Sequence, residues 1–245
     1  MYLGSRLHSF YVWGSVHRNE AVPGVSDLDT AIFIKDPWDK EKDEGWLRSV
    51  NKKLSGSFMG VGGLSRPHHV DEVLKGMRAD VNERDRTRTE AWMHRLRYDA
   101  TLLEGQGITG PLDLFSPGPA WASEAFQSTL DLARVAVGRH PEDTLEFKLP
   151  AEPRLRLRKL ARLGVLGGAY LLMGQHRFQS YKWTAVLPPI AARFPRWNGF
   201  LQETAGLCVN LTPLGADGHF DYPYRLMAWL DWVQEGLNAE MAKVA

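Results

Sequence analysis

Turn residues crowd one short stretch of this chain. Gly105, Gly107, Gly110, Pro111, Pro117, Gly118 and Pro119 fall within fifteen positions, a density that a continuous helix or central strand does not tolerate. The residues on either side follow different periods. Before the break, Ser9 to Trp13 and Thr30 to Ile34 are short runs rich in aromatic and β-branched residues, as strands are. After it, apolar residues recur at helical spacing over Ala120 to Gly138, Arg154 to Gly174, Trp183 to Phe194, Trp197 to Leu207 and Pro223 to Val244. Leu226, Met227, Leu230, Val233 and Leu237 make the clearest stripe. The pattern predicts an α+β chain, with one domain over residues 1–110 and an all-α helical bundle over residues 111–245. A length of 245 residues gives each part enough chain for its own core.

Within the first part, Lys35 to Glu44 reads as a charged loop, and Trp46, Leu47, Val50 and Leu54 recur at helical spacing. His68 to Leu74 fits a third strand, while Val70, Val73, Leu74 and Met77 also fit a helix. Thr87 to Leu103 reads as a helix with Trp92, Leu96 and Leu103 inward. The most apolar stretch, Leu163 to Met173, is broken by three glycines and falls short of the roughly 20 residues of a membrane span. Met1 to His8 lacks a continuous apolar segment, so no signal peptide is expected. Cys208 is the single cysteine, which predicts a buried thiol in a reducing, cytoplasmic setting. With 30 basic and 29 acidic residues, a wholesale polybasic surface is excluded, and no extended basic, aromatic-interleaved surface argues for a nucleic-acid partner.

The chemistry concentrates between the two strands. Trp13-Gly14-Ser15 ends the first, and Ser26-Asp27-Leu28-Asp29 leads into the second, twelve residues after Gly14. Strand alternation puts Asp27 and Asp29 on one face, about 7 Å apart along the chain. Paired carboxylates there suit magnesium, which takes oxygen ligands from one or two carboxylates together with substrate phosphates. Gly14 lets a ligand approach the backbone closely, and Ser15 can hydrogen-bond a phosphate.

This order of strand, Gly-Ser, spacer, Ser-Asp-x-Asp and strand resembles the nucleotidyltransferases of the DNA polymerase β superfamily. The helical second half is similar to the aminoglycoside nucleotidyltransferases. Further fragments in order support the likeness: Leu102-Leu103-Glu104-Gly105 before Gly110-Pro111, Tyr170-Leu171-Leu172-Met173-Gly174, Ser180-Tyr181-Lys182 and Phe194-Pro195. The resemblance implies a polymerase-β-like domain with a small mixed sheet and flanking helices, followed by a helical bundle. It also implies transfer of a nucleoside monophosphate from a triphosphate, ATP foremost, to a hydroxyl of a small acceptor such as an aminoglycoside. Asp27 and Asp29 would hold Mg2+, Gly14, Ser15 and Ser26 would frame the triphosphate, and Lys182 would contact phosphate. Other members modify proteins or nucleic-acid ends, and a non-catalytic nucleotide-binding module is the remaining alternative.

The resemblance also calls for a third carboxylate. In the strand reading Asp71 fills that role, with Glu72 second, whereas the helical reading brings in Asp80. Arg18 either reaches a phosphate or pairs with Glu20 or an acid of the charged loop. Arg154, Arg156, Arg158, Lys159 and Arg162 make a basic helix start, either a solvated face or a wall toward phosphate. The chain departs from the family pattern at its front, where only about ten residues precede the first strand.

Overall fold

The computed structural model describes residues 2–21, 26, 28–55, 64–75, 83–108, 118–141, 149–209 and 216–244. The chain divides into two compact units, Met1–Phe115 and Ser116–Ala245.

The first unit is built on a four-stranded mixed sheet. Strands β1 (Leu7–Trp13), β2 (Asp29–Ile34), β3 (His68–His69) and β4 (Ala100–Gly105) lie in the order β3-β2-β1-β4. β1 is antiparallel to both β2 and β4, and β2 runs parallel to β3. A short helix α1 (Gly14–His17) follows β1 directly, and α2 (Lys40–Ser55), α3 (Val70–Lys75) and α4 (Glu83–Asp99) are the unit's further α-helices among the described residues. Both faces of the sheet are covered, which accounts for the run of buried residues along β2. On one face Tyr11, Ala31 and Phe33 pack with Val70, Met93, Leu96 and Ile108. On the other, Ile32 and Ile34 meet Leu3, with Phe10, Trp38 and Trp46 beside them.

Three expectations change here. The charged segment before Trp46 is already helical from Lys40, because its acids cap the helix. Asp39 Oδ1 accepts the N–H groups of Glu41 and Lys42, and Asp43 Oδ2 accepts the N–H of Asp39, a reciprocal cap that places negative charge at the helix N-terminus. The helix expected to reach Leu103 stops at Asp99, and β4 follows, paired along β1. Leu103 is accordingly 54% exposed rather than inward, while Leu96 is buried as expected. The third strand covers only His68 and His69 before helix α3 takes over at Val70, so both readings of that segment hold in part.

The second unit is helical: α5 (Pro119–Ala136), α6 (Pro153–Gly174), α7 (Trp183–Arg193), α8 (Asn198–Val209) and α9 (Ala216–Met241). α6 is its centre, with every residue from Leu163 to Gly174 buried. Its glycines let neighbours come close: an added Cβ at Gly168 would lie 2.8 Å from both Ile190 Cδ1 and Val186 Cγ1. Trp229 is fully buried and donates Nε1–H to the Gly164 carbonyl at 3.0 Å. Cys208 is buried, as expected. No described helix is long and apolar enough to cross a membrane.

Candidate active site

Strand register brings the Gly-Ser turn and the second aspartate of the motif together. Trp13, the last residue of β1, pairs with Asp29, the first of β2, and with Ala100, the first of β4. The chain turns at once after Trp13, with Gly14 at φ +69°, a left-handed conformation that glycine adopts without steric cost. A Cβ on Gly14 would lie 2.2 Å from Asp29 Oδ2 and 3.1 Å from its Cγ. The bare glycine therefore lets the Asp29 carboxylate press against the start of α1. Alternation along β2 puts Asp29 on the face of Ala31 and Phe33, at the end of that core.

The turn is closed by its own backbone. Gly14 O accepts the Arg18 N–H at 3.2 Å, and Ser15 O accepts the Glu20 N–H at 2.8 Å. Ser26 is half-buried just before β2. Asp27 lies outside the described residues, as does Asp80. Next along β2, Thr30 is tied to Ser65, whose Oγ donates to Thr30 O at 2.6 Å.

Arg18 takes the ion-pair alternative. It is 7% exposed, donating Nε–H to Glu20 Oε2 at 2.5 Å and Nη1–H to Asp99 Oδ2. Burial opposes its charge, but Asp99 and then Glu20 outweigh it and hold the guanidinium pKa above its ordinary value. Asp99 was not anticipated from sequence. It ends α4 immediately before β4 and is 4% exposed.

Asp71 does not join this group. β3 pairs only with the far end of β2, Phe33 with His68 and Ile34 with His69. Five residues at about 3.3 Å each separate that end from Asp29, roughly 17 Å. Asp71 and Glu72 then fall in the first turn of α3, exposed, with the Asp71 carboxylate 3.8 Å from His69 Nε2. The expectation of Asp71 as third carboxylate assumed a strand running past His69; the helix start at Val70 removes that alternation.

In the second unit, Glu152 caps α6 by accepting the N–H groups of Arg154 and Leu155 at 3.0 and 2.7 Å. The basic residues of the helix start divide in their use. Arg162 Nη1–H donates to the Tyr181 carbonyl at 2.9 Å, while Arg154 and Lys159 are exposed. Lys182, next to Tyr181, is the N-cap of α7 and its own N–H donates to Ser180 Oγ at 3.1 Å. Arg162 and Lys182 thus sit on adjoining segments.

The donor set beside Gly14 consists of carboxylate oxygens, the kind magnesium takes. Among the described residues no cluster of three or more His, Cys, Asp or Glu side chains is placed to hold a metal. Asp29, with Asp27 preceding it in sequence, is the described carboxylate that fits the role.

The small mixed sheet with Gly-Ser at the end of β1 and an aspartate at the start of β2, followed by a helical bundle, is an aminoglycoside nucleotidyltransferase-like fold. Among solved structures the chain is similar to the spectinomycin adenyltransferase AAD(9) from Enterococcus faecialis, determined with ATP and spectinomycin. The TM-score is 0.53 at 11% identity, over 97% of this chain and 94% of that one. No protein-family model and no curated protein sequence matches the chain.

Proposed function

We propose that this protein transfers a nucleoside monophosphate, AMP from ATP, to a hydroxyl of a small acceptor of the aminoglycoside class. The observation that carries the reading is the Asp29 carboxylate packed against the Gly14 turn, within a fold shared with an adenyltransferase solved with ATP and spectinomycin. The acceptor oxygen forms a bond to the α-phosphorus, the bond between that phosphorus and the bridging oxygen breaks, pyrophosphate leaves and the hydroxyl proton is released.

In this reading Gly14, Ser15 and Ser26 border the triphosphate. Gly14 keeps the approach free of a side chain, and Ser15 offers a hydroxyl and an N–H. Asp29 and Asp27 would hold Mg2+, which when bound offsets charge on the departing pyrophosphate. Lys182 is a proposed phosphate contact, on the family resemblance. Arg18, already committed to two carboxylates, serves the turn instead of the phosphates.

The test is ATP labelled at the α-phosphate, offered with magnesium and a panel of aminoglycosides. Label on an aminoglycoside supports the reading. Label on a protein or RNA instead replaces the acceptor, and nucleotide binding without any transfer leaves a binding module.

A further inference from the structure

Asp99 sits where a carboxylate is disfavoured three times over. It is the last residue of α4, where the helix dipole opposes negative charge. It is 4% exposed, and burial opposes an ionised group. Its Oδ1 is buried and accepts no hydrogen bond among the described residues, an arrangement that native structures rarely keep without a reason. Local structure gains nothing from a charge here. The group's one described partner is Arg18, 81 residues away in sequence.

The Arg18 guanidinium is held between two carboxylates, those of Glu20 and Asp99, whose side chains are 10% and 5% exposed. The contact joins the Gly14 turn to the α4–β4 junction, where His17 Nδ1 and Thr101 Oγ1 also share a hydrogen bond at 2.9 Å. Arg18 closes the Gly14 turn through its N–H, and Asp99 immediately precedes Ala100, the residue paired with Trp13.

We infer that Asp99 is a positioning residue which, acting through the Arg18 guanidinium, fixes the Gly14–Arg18 turn on the sheet so that Gly14 and Ser15 face the triphosphate in one geometry. The inference rests on the nucleotidyl-transfer reading above. Asp99 touches no reacting atom; it sets the place of the residues that do. A fork with two anchors fixes both translation and rotation of the turn, which one ion pair to the neighbouring Glu20 does not.

The test is a double-mutant cycle of Asp99→Asn and Arg18→Lys, read on kcat/KM for magnesium ATP, with thermal unfolding measured alongside. Asp99→Asn removes negative charge from the helix end, so its melting temperature should hold or rise while kcat/KM falls about tenfold. A purely structural carboxylate would lower both. Arg18→Lys should cost a similar factor, and the double variant should be no worse than about threefold below the poorer single. Asp99→Glu, which keeps the charge but displaces it, should also lose activity and serves if the Asn variant folds poorly. Multiplying losses of about a hundredfold in the double variant, or wild-type kcat/KM in both Asp99 variants, overturns the inference while the function stands. A wild-type protein that neither binds ATP nor transfers AMP removes the function and this inference with it.

Discussion

The Asp29 carboxylate occupies the space where any side chain on residue 14 would begin: a Cβ there would lie 2.2 Å from Oδ2. The Gly-Ser turn and Asp29 are thus one steric unit, assembled by the Trp13–Asp29 register of β1 and β2.

Gly14→Ala should therefore be among the most damaging small substitutions in the chain. The left-handed φ of +69° costs an alanine about 1–2 kcal/mol, and the clash pushes Asp29 away. Nucleotidyl transfer should drop at least about a hundredfold while the protein keeps a cooperative unfolding transition. An alanine variant with wild-type turnover would show that the close approach serves packing alone.

Stability should fall with acid in two stages. His94 is pushed down to about 4 from its ordinary 6.5, chiefly by burial and then by Arg95 and Arg97. Asp43 is held at about 2 instead of 3.8, first by the Arg6 hydrogen bond. Both shifts make the native state bind fewer protons than the unfolded chain. Each contribution is complete above the ordinary value and is lost as pH falls toward the native one. Denaturant midpoints should decline between pH 6.5 and about 4, and again from 3.8 toward about 2. His94→Gln should flatten the first decline and Asp43→Asn the second. Variant profiles running parallel to the wild type would exclude these groups.

Gly168→Ala tests the helical unit separately. The new methyl meets Ile190 and Val186 of α7 together, at 2.8 Å each, so one side-chain rotation does not relieve it. Overpacking of about 1–3 kcal/mol works against a helix-propensity gain of about 1 kcal/mol. A net loss of about 1 kcal/mol in urea unfolding is expected. An increase would mean that α7 shifts at little cost.

What the sequence revealed about this molecule followed the range of each interaction. β1, β2 and the five described α-helices of the second unit were legible because their apolar periods are local and long. Gly14 and Asp29 were legible as a motif, and Arg18 with Glu20 as a possible pair two residues apart. β4 was hidden, since Ala100 to Gly105 continues a helical pattern and leaves Leu102 and Leu103 exposed; pairing with β1 makes it a strand, a tertiary effect that overrides local preference. Asp99 was invisible for the same reason, its partner being 81 residues away. The strand reading of residues 70–74 erred locally. Carboxylates at Asp71 and Glu72, directly after Val70, are first-turn helix residues and could have been read as such.

The most direct test of the account is transfer of α-phosphate label from ATP to an aminoglycoside hydroxyl, with pyrophosphate counted, in wild type and in Asp27→Asn with Asp29→Asn. The wild type should release one pyrophosphate per labelled acceptor, and the double variant should lose at least about a thousandfold, at unchanged thermal stability. Pyrophosphate release at the wild-type rate in the double variant would contradict it.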